Sequence, residues 1–188
     1  MTAMLENRAT GGEAAFVGIG ANLGDPVAQI HEAFERLAGD VPHTRLVARS
    51  RLFRNPPMGP QDQPDYVNAV ARLETRLEPE ALLVALQDIE HACGRTRDGT
   101  RWGPRLLDLD ILLFGDRSIR QPGLHVPHAG IAERDFVVLP LQELAPALRI
   151  PGHGPVARLA RRFDGAGLVA IDEPGAGDVP GALAEARG

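Results

Sequence analysis

The chain gathers its densest chemistry between Gly94 and Gly115, in GRTRDGTRWGPRLLDLDILLFG. Arg95, Arg97, Arg101 and Arg105 fall within eleven positions, with Trp102, the only tryptophan, among them. A strand-like run carrying two aspartates follows at once. In Leu107-Asp108-Leu109-Asp110-Ile111 the alternation has period two, so both carboxylates leave one face while the aliphatic side chains leave the other. Two acids roughly 7 Å apart along a strand repel each other when both are ionised. A cation between them relieves that repulsion. Mg²⁺ suits the role, because it takes hard oxygen ligands, often one or two carboxylates together with substrate phosphates, and keeps several waters. Arginines alongside suit the phosphates, since the guanidinium fork grips oxyanions bidentately. The stretch reads as a site for a metal-bound polyphosphate.

Plainer readings stand beside this one. An Asp-x-Asp on a strand also serves as a solvated face, and arginine density is discounted because the chain has 20 basic residues and not one of them is lysine. The combination favours the functional reading: clustered arginines, a tryptophan within them, and paired acids directly after.

The elements that must hold these residues are legible in outline. Residues 1–13 lack periodicity and are expected to be a disordered leader. Ala15 to Gly20 reads as an apolar, glycine-dotted strand, and Asp25-Pro26 supplies a helix cap and a first-turn proline. Ile30, Ala33, Phe34 and Leu37 then keep helical spacing to Gly39. The glycines at 18, 20 and 24 miss the dinucleotide fingerprint, the third falling one residue late, and read as close-packing and turn residues. Thr44 to Phe53 reads as one strand with Arg45, Arg49 and Arg51 on its wetter side. Asn55 to Asp65 holds four prolines and a glycine and reads as a shaped loop. Tyr66 to Leu73 is a strand with Tyr66 and Asn68 on one face. Glu78-Pro79 opens a helix to about Ala92 with core positions Leu82, Leu86, Ile89 and Cys93, which leaves Gln87 and Glu90 on a solvated side. Leu124 to His128 is a short extended piece. Phe136 to Leu144 and Pro155 to Phe163 read as further helices, and residues 164–188, rich in Gly, Ala and Pro, as a flexible tail. Strand, helix, strand, strand, helix, strand is the ferredoxin-like βαββαβ pattern, an α+β fold whose added helices make three αβα layers.

At 188 residues the chain supports one domain with a real core, expected over residues 14–163. A net charge of −5 and eight aromatics speak against a nucleic-acid surface built on basic charge and stacking. One cysteine excludes an intrachain disulfide framework, and the sequence offers no long apolar run. A cytoplasmic monomer with no membrane or nucleic-acid partner is expected. Without lysine the chain cannot supply a Walker-A or protein-kinase β3 lysine.

Two long motifs closely resemble one family. Pro56-Pro57-Met58-Gly59-Pro60-Gln61-Asp62-Gln63-Pro64-Asp65-Tyr66-Val67-Asn68 and Arg101-Trp102-Gly103-Pro104-Arg105-Leu106-Leu107-Asp108-Leu109-Asp110-Ile111 are similar, in order and content, to the 6-hydroxymethyl-7,8-dihydropterin pyrophosphokinases. The likeness runs from about Phe16 to Phe163 and includes Val126-Pro127-His128. The resemblance implies transfer of a pyrophosphoryl group from ATP to the pterin hydroxymethyl oxygen, with two Mg²⁺, in folate biosynthesis. It implies that Asp108 and Asp110 are the metal ligands and, with Arg95 and Arg105, the catalytic set. Gln87, Glu90, Arg95, Arg97, Trp102, Arg105, Ile111, His128 and Arg134 would contact ATP. Phe53, Asn55, Pro57, Met58, Tyr66, Asn68, Trp102 and Phe136 would hold the pterin. Phe53, Asp98, Gly123 and Ala129 depart from the family's commoner residues, which bears on peripheral contacts. The Gly94 to Pro104 loop is expected to close over the substrates and carry Trp102 inward.

Overall fold

A computed structural model describes residues 11–94 and 105–171. Residues 1–10 and 172–188 of the expected leader and tail, and Arg95, Arg97, Asp98, Arg101 and Trp102, lie outside the described residues.

Strand β1 (Glu13–Ala21) feeds helix α1 (Pro26–Gly39) through the cap anticipated from sequence: Asp25 Oδ1 accepts from the Ala28 N–H at 3.1 Å and Pro26 occupies the first turn. The next strand is broken in two. Strand β2 (Thr44–Arg49) and strand β3 (Leu52–Asn55) both pair antiparallel with strand β4 (Tyr66–Thr75), where a single strand over Thr44–Phe53 was expected. The break has a local cause at Ser50, which is fully buried. Its backbone N–H donates to the Val70 carbonyl and its hydroxyl accepts from the Val70 N–H, both at 2.9 Å, so a side chain takes over part of the ladder. Arg49 pairs with Ala71 but Phe53 with Asn68, so β3 carries one extra residue relative to β2. Because side chains alternate across a strand, that single residue moves Phe53 to the other face of the sheet.

Helix α2 (Pro79–Ala92) leads towards strand β5 (Asp108–Phe114), which pairs antiparallel with β1. The main sheet has the order β5-β1-β4-β3, with β2 beside β3 on β4, which is the ferredoxin-like arrangement expected from the element order. A short hairpin of β6 (Ile119–Gln121) and β7 (Leu124–Val126) follows, then helix α3 (Asp135–Leu144), a two-stranded pair of β8 (Arg149–Ile150) and β9 (Gly154–Pro155), and helix α4 (Val156–Ala160). Helix α4 is shorter than the expected Pro155 to Phe163. Strand β10 (Val169–Ile171) then adds itself to β3, so the stretch expected to be flexible tail contributes the outermost strand of the sheet.

Odd-numbered residues of β1 and β4 face α1 and α2. Val17, Ile19, Ala69, Ala71 and Leu73 pack there with Ile30, Phe34, Leu37, Leu82, Leu86 and Ile89. The opposite face is covered by α3 and α4, where Phe16, Val70, Leu112, Val138, Leu141 and Leu159 form a second core. These are the three expected layers. Arg51 ties α3 to the sheet, since its N–H and Nε both donate to the Glu143 carboxylate, at 2.7 and 3.0 Å. Among the described residues no helix is long and apolar enough to cross a membrane.

Helix α2 offers a direct check on this packing. Leu86→Ala, at a fully buried site, is expected to lower stability by about 2–5 kcal/mol. Val84→Ala, 56 % exposed on the same helix, should shift it by less than about 0.5 kcal/mol. Urea denaturation of both variants measures this, and equal midpoints would contradict the assigned core face.

Candidate active site

The second face of the sheet is only half covered. Beyond Phe16, β1 places Gly18 and Gly20 on that face, and a cavity of about 310 Å³ opens above them. The register puts Gly18 beside Asp110 and Gly20 beside Asp108 on β5, and Gly20 beside Asn68 on β4. The glycines are the floor. A Cβ on Gly20 would come within 2.7 Å of Asn68 Oδ1, and one on Gly18 within 3.2 Å of a Leu112 methyl. Both were read from sequence as packing residues; their spacing of two on a strand opposite the acids was the available signal.

Asp108 and Asp110 share the cavity face, as the alternation required, while Leu109 and Ile111 are buried on the other side. Arg105 approaches from the segment before β5, with its guanidinium 2.7 Å from Asp108 Oδ2. Burial works against the charge on Arg105, but the Asp108 carboxylate outweighs it and raises the guanidinium above its ordinary range. Enclosure by the cavity walls, and secondly the neighbouring charge of Asp108, pushes the Asp110 carboxyl above its usual value. Its side chain is nevertheless 46 % exposed, so it sits at the bottom of the cavity within reach of solvent.

His128 is held against β5 by its own N–H, which donates to the Leu112 carbonyl at 2.9 Å. Its Nδ1 lies 3.1 Å from the Gly130 N–H and accepts from it, which leaves Nε2 as the proton-bearing nitrogen of the neutral ring. Burial lowers the His128 pKa, against the pull of Asp110. Nε2 is 3.8 Å from Asp110 Oδ2, beyond hydrogen-bond distance. Arg134 caps α3, and its guanidinium stands 6.0 Å from the Phe136 ring centroid at the cavity wall.

Across the glycine floor the wall changes character. Asn68 Nδ2 donates to Asn55 Oδ1 at 2.6 Å, and Asn55 Nδ2 donates to the Pro56 carbonyl at 2.9 Å. Tyr66, its phenol pKa raised chiefly by burial, and Met58 and Gly59 of the proline-rich loop complete that side. Asn68 and Asp108 are separated by one strand, hence by about 10 Å between backbones. A flat amide-reading half therefore faces a charged half.

The structure brings Asn55, Met58, Tyr66, Asn68, Arg105, Asp108, Asp110, His128, Arg134 and Phe136 to one cavity. Other expected contacts fall elsewhere. Phe53 reaches the right face only through the bulge at Ser50, and its buried ring lies under the Arg51 guanidinium and off the cavity wall. Pro57 is buried and also off the wall. The Ile111 side chain lies in the core beneath α1 and α2, and Gln87 is on α2 away from the cavity. Glu90 is not solvated, as the helix pattern suggested, but 2 % exposed, with Oε1 accepting from the Leu109 N–H at 2.7 Å. Its carboxylate holds the backbone of β5 between the two aspartates.

Among the described residues no cluster of three or more His, Cys, Asp or Glu side chains is placed to hold a metal ion. Two carboxylates on an open floor fit a hard cation that completes its shell with water and substrate oxygens.

Comparison with known proteins identifies the family. A family model described as 7,8-dihydro-6-hydroxymethylpterin-pyrophosphokinase (HPPK) matches residues 16–146. The proteins named 2-amino-4-hydroxy-6-hydroxymethyldihydropteridine pyrophosphokinase from Pseudomonas aeruginosa and Haemophilus influenzae are 52% and 45% identical to it. Those matches cover 80% and 79% of this chain and 93% and 92% of theirs. A crystal structure of an HPPK-DHPS in complex with substrates is similar with a TM-score of 0.65 at 12% identity, over 81% of this chain. This chain spans 43% of that longer one, and the likeness speaks for the fold alone. The chain belongs to the HPPK family.

The glycine floor is testable by stability. Gly20→Ala should displace the Asn68 amide and cost about 1–3 kcal/mol through the lost buried hydrogen bond. Gly39→Ala, whose Cβ meets nothing within 4 Å, should instead stabilise helix α1 by up to about 1 kcal/mol. Thermal or urea melts distinguish the two, and a stabilising Gly20→Ala would contradict the assigned floor.

Proposed function

We propose that this member of the HPPK family transfers the β,γ-diphosphate of ATP to the hydroxymethyl group of 6-hydroxymethyl-7,8-dihydropterin, releasing AMP. The observation that carries the reading is the juxtaposition, in one cavity, of the carboxylate pair with Arg105 and of the amide-lined wall about one strand away. The amide wall suits a flat heterocycle rich in donors and acceptors, because Asn68 and Asn55 present both kinds of group at fixed orientation. The charged half suits the polyphosphate. A cavity of about 310 Å³ is at the small end for ligand sites, so it takes the pterin and the reacting phosphates while the rest of the nucleotide extends beyond it.

The reaction forms a bond from the hydroxymethyl oxygen to the β-phosphorus and breaks the bond from that phosphorus to the bridging oxygen of the α-phosphate. The hydroxyl proton passes to solvent, and AMP leaves with the bridging oxygen. Such a displacement depends on alignment and charge neutralisation more than on covalent chemistry by the protein. Asp108 and Asp110 would hold Mg²⁺, two ions in the full complex, and bound Mg²⁺ neutralises charge on the polyphosphate. Arg105 would donate to the moving phosphoryl oxygens, joined by Arg95 from outside the described residues. His128 and Arg134 border the same side and would contact nucleotide phosphate. Asn55, Tyr66, Asn68 and Phe136 would seat the pterin. Arg97 and Trp102 are further nucleotide and pterin contacts implied by the family resemblance.

Nucleotide product analysis with ATP, Mg²⁺ and hydroxymethyl-dihydropterin is the first test. AMP is expected; ADP would indicate simple phosphoryl transfer and pyrophosphate a nucleotidyl transfer, and either would overturn the reading. Asp108→Ala and Asp110→Ala should each lower turnover by about 100-fold or more while the melting temperature stays near that of the parent. Parental rates in either variant would remove the carboxylates from the metal site. Arg105→Ala should lower kcat more than it raises KM, and Arg105→Lys should recover only part of the loss, because lysine lacks the bidentate fork. A raised KM at unchanged kcat would assign Arg105 to ground-state binding.

A further inference from the structure

Asn22, directly after β1, does not itself line the cavity, yet it connects the two halves of the site. The residue is 2 % exposed. Its Oδ1 accepts from the Arg105 N–H at 2.8 Å, and its Nδ2 donates both to Gln63 Oε1 and to the Pro64 carbonyl, each at 3.0 Å. Its backbone N–H also donates to the Arg105 carbonyl at 3.0 Å, joined by that of Leu23 at 3.3 Å. The amide orientation is set by its partners, since a flipped side chain would turn its oxygen onto two acceptors and its NH₂ onto a donor.

We propose that Asn22 is a positioning residue that fixes Arg105 and the proline-rich loop relative to each other, so that the phosphate-facing and pterin-facing halves of the cavity keep one geometry. Arg105 is clamped at both its N–H and its carbonyl, directly before the side chain that reaches Asp108. On the other side, Pro64 lies two residues before Tyr66 on the cavity wall, and Gln63 Nε2 donates to the Pro60 carbonyl at 2.9 Å, which carries the constraint into the loop. An in-line displacement between two bound substrates is sensitive to relative placement on the ångström scale, so loosening this tie costs rate more than affinity for either substrate. The inference rests on the proposed transfer between nucleotide and pterin.

The test combines kinetics with amide hydrogen exchange of the full-length chain. Asn22→Ala should lower kcat at least tenfold while KM for ATP and for hydroxymethyl-dihydropterin each stay within threefold. Asn22→Asp keeps an acceptor for the Arg105 N–H but turns a carboxylate oxygen onto the two loop acceptors, so it should lower kcat at least as far as Asn22→Ala. Should Asn22→Ala fail to fold, Gln63→Ala weakens the tie from the loop by removing one of the two acceptors of the Asn22 amide. In that variant exchange of the Arg105 amide should accelerate at least threefold while the central-strand amides of Val17 and Ala71 keep their parental rates. Unchanged exchange at Arg105 in Gln63→Ala, or parental kcat in a folded Asn22→Ala, would overturn the tie. So would faster exchange throughout the sheet, which marks general destabilisation. A parental protein that forms no AMP would sink the proposed transfer alone, because the exchange measurement requires no turnover.

Discussion

Everything about this site depends on the two faces of β1 having opposite duties. Its odd residues from Ala15 to Ala21 are apolar and buried under α1 and α2, which fixes the strand at the middle of the sheet. Its even residues run from Phe16, which packs under α3 and α4, to Gly18 and Gly20, which pack under nothing large. Removing two side chains from the centre of a close-packed layer leaves a trough, and the strands on either side supply its walls. A sheet can afford this because the backbone ladder of β1 to β4 and β5 does not depend on what the side chains do.

The trough concentrates negative charge where burial disfavours it. Asp108 is offset by Arg105, whereas Asp110 meets a histidine that burial keeps from protonating readily and an arginine farther off. Like charge and enclosure thus leave Asp110 the more poorly compensated of the two. Carboxyl groups perturbed by enclosure and like charge in a cleft are characteristic of functional sites. The backbone under the acids is correspondingly well held. Glu90 binds the Leu109 N–H from the side of α2, and Asn22 binds Arg105 from the end of β1.

Rigidity on the amide side has a different origin. Proline supplies fixed backbone angles along the loop from Pro56 to Pro64, and short side-chain bonds close the remaining freedom: Gln61 donates to the Pro57 and Gly59 carbonyls at 2.8 and 2.9 Å. Arg51 and Glu143 then lock α3, which carries Phe136, to the break between β2 and β3.

Periodicity and punctuation alone determined a large part of this protein. The period-two placement of Asp108 and Asp110, the helical stripes of α1 and α2, the cap at Asp25 and the first-turn proline Pro79, and the βαββαβ order all follow from local rules that do not require knowing what lies opposite. The family motifs added the chemistry. What tertiary structure decided were relations between segments. The bulge at Ser50 depends on its pairing with Val70, so the face taken by Phe53 was not readable from a run that looks like one strand. Glu90 looks like a surface residue of a helix until Leu109 is placed beside it. Gly18 and Gly20 become a floor only once β5 and β4 lie on either side of them, and the strand at Val169–Ile171 needs β3 as a template. Asn22 resembles an ordinary turn residue in sequence, and its partners are 83, 41 and 42 positions away. Spacing along a chain reports which face a side chain takes within its own element, whereas a partner far along the chain is fixed only when the sheet closes.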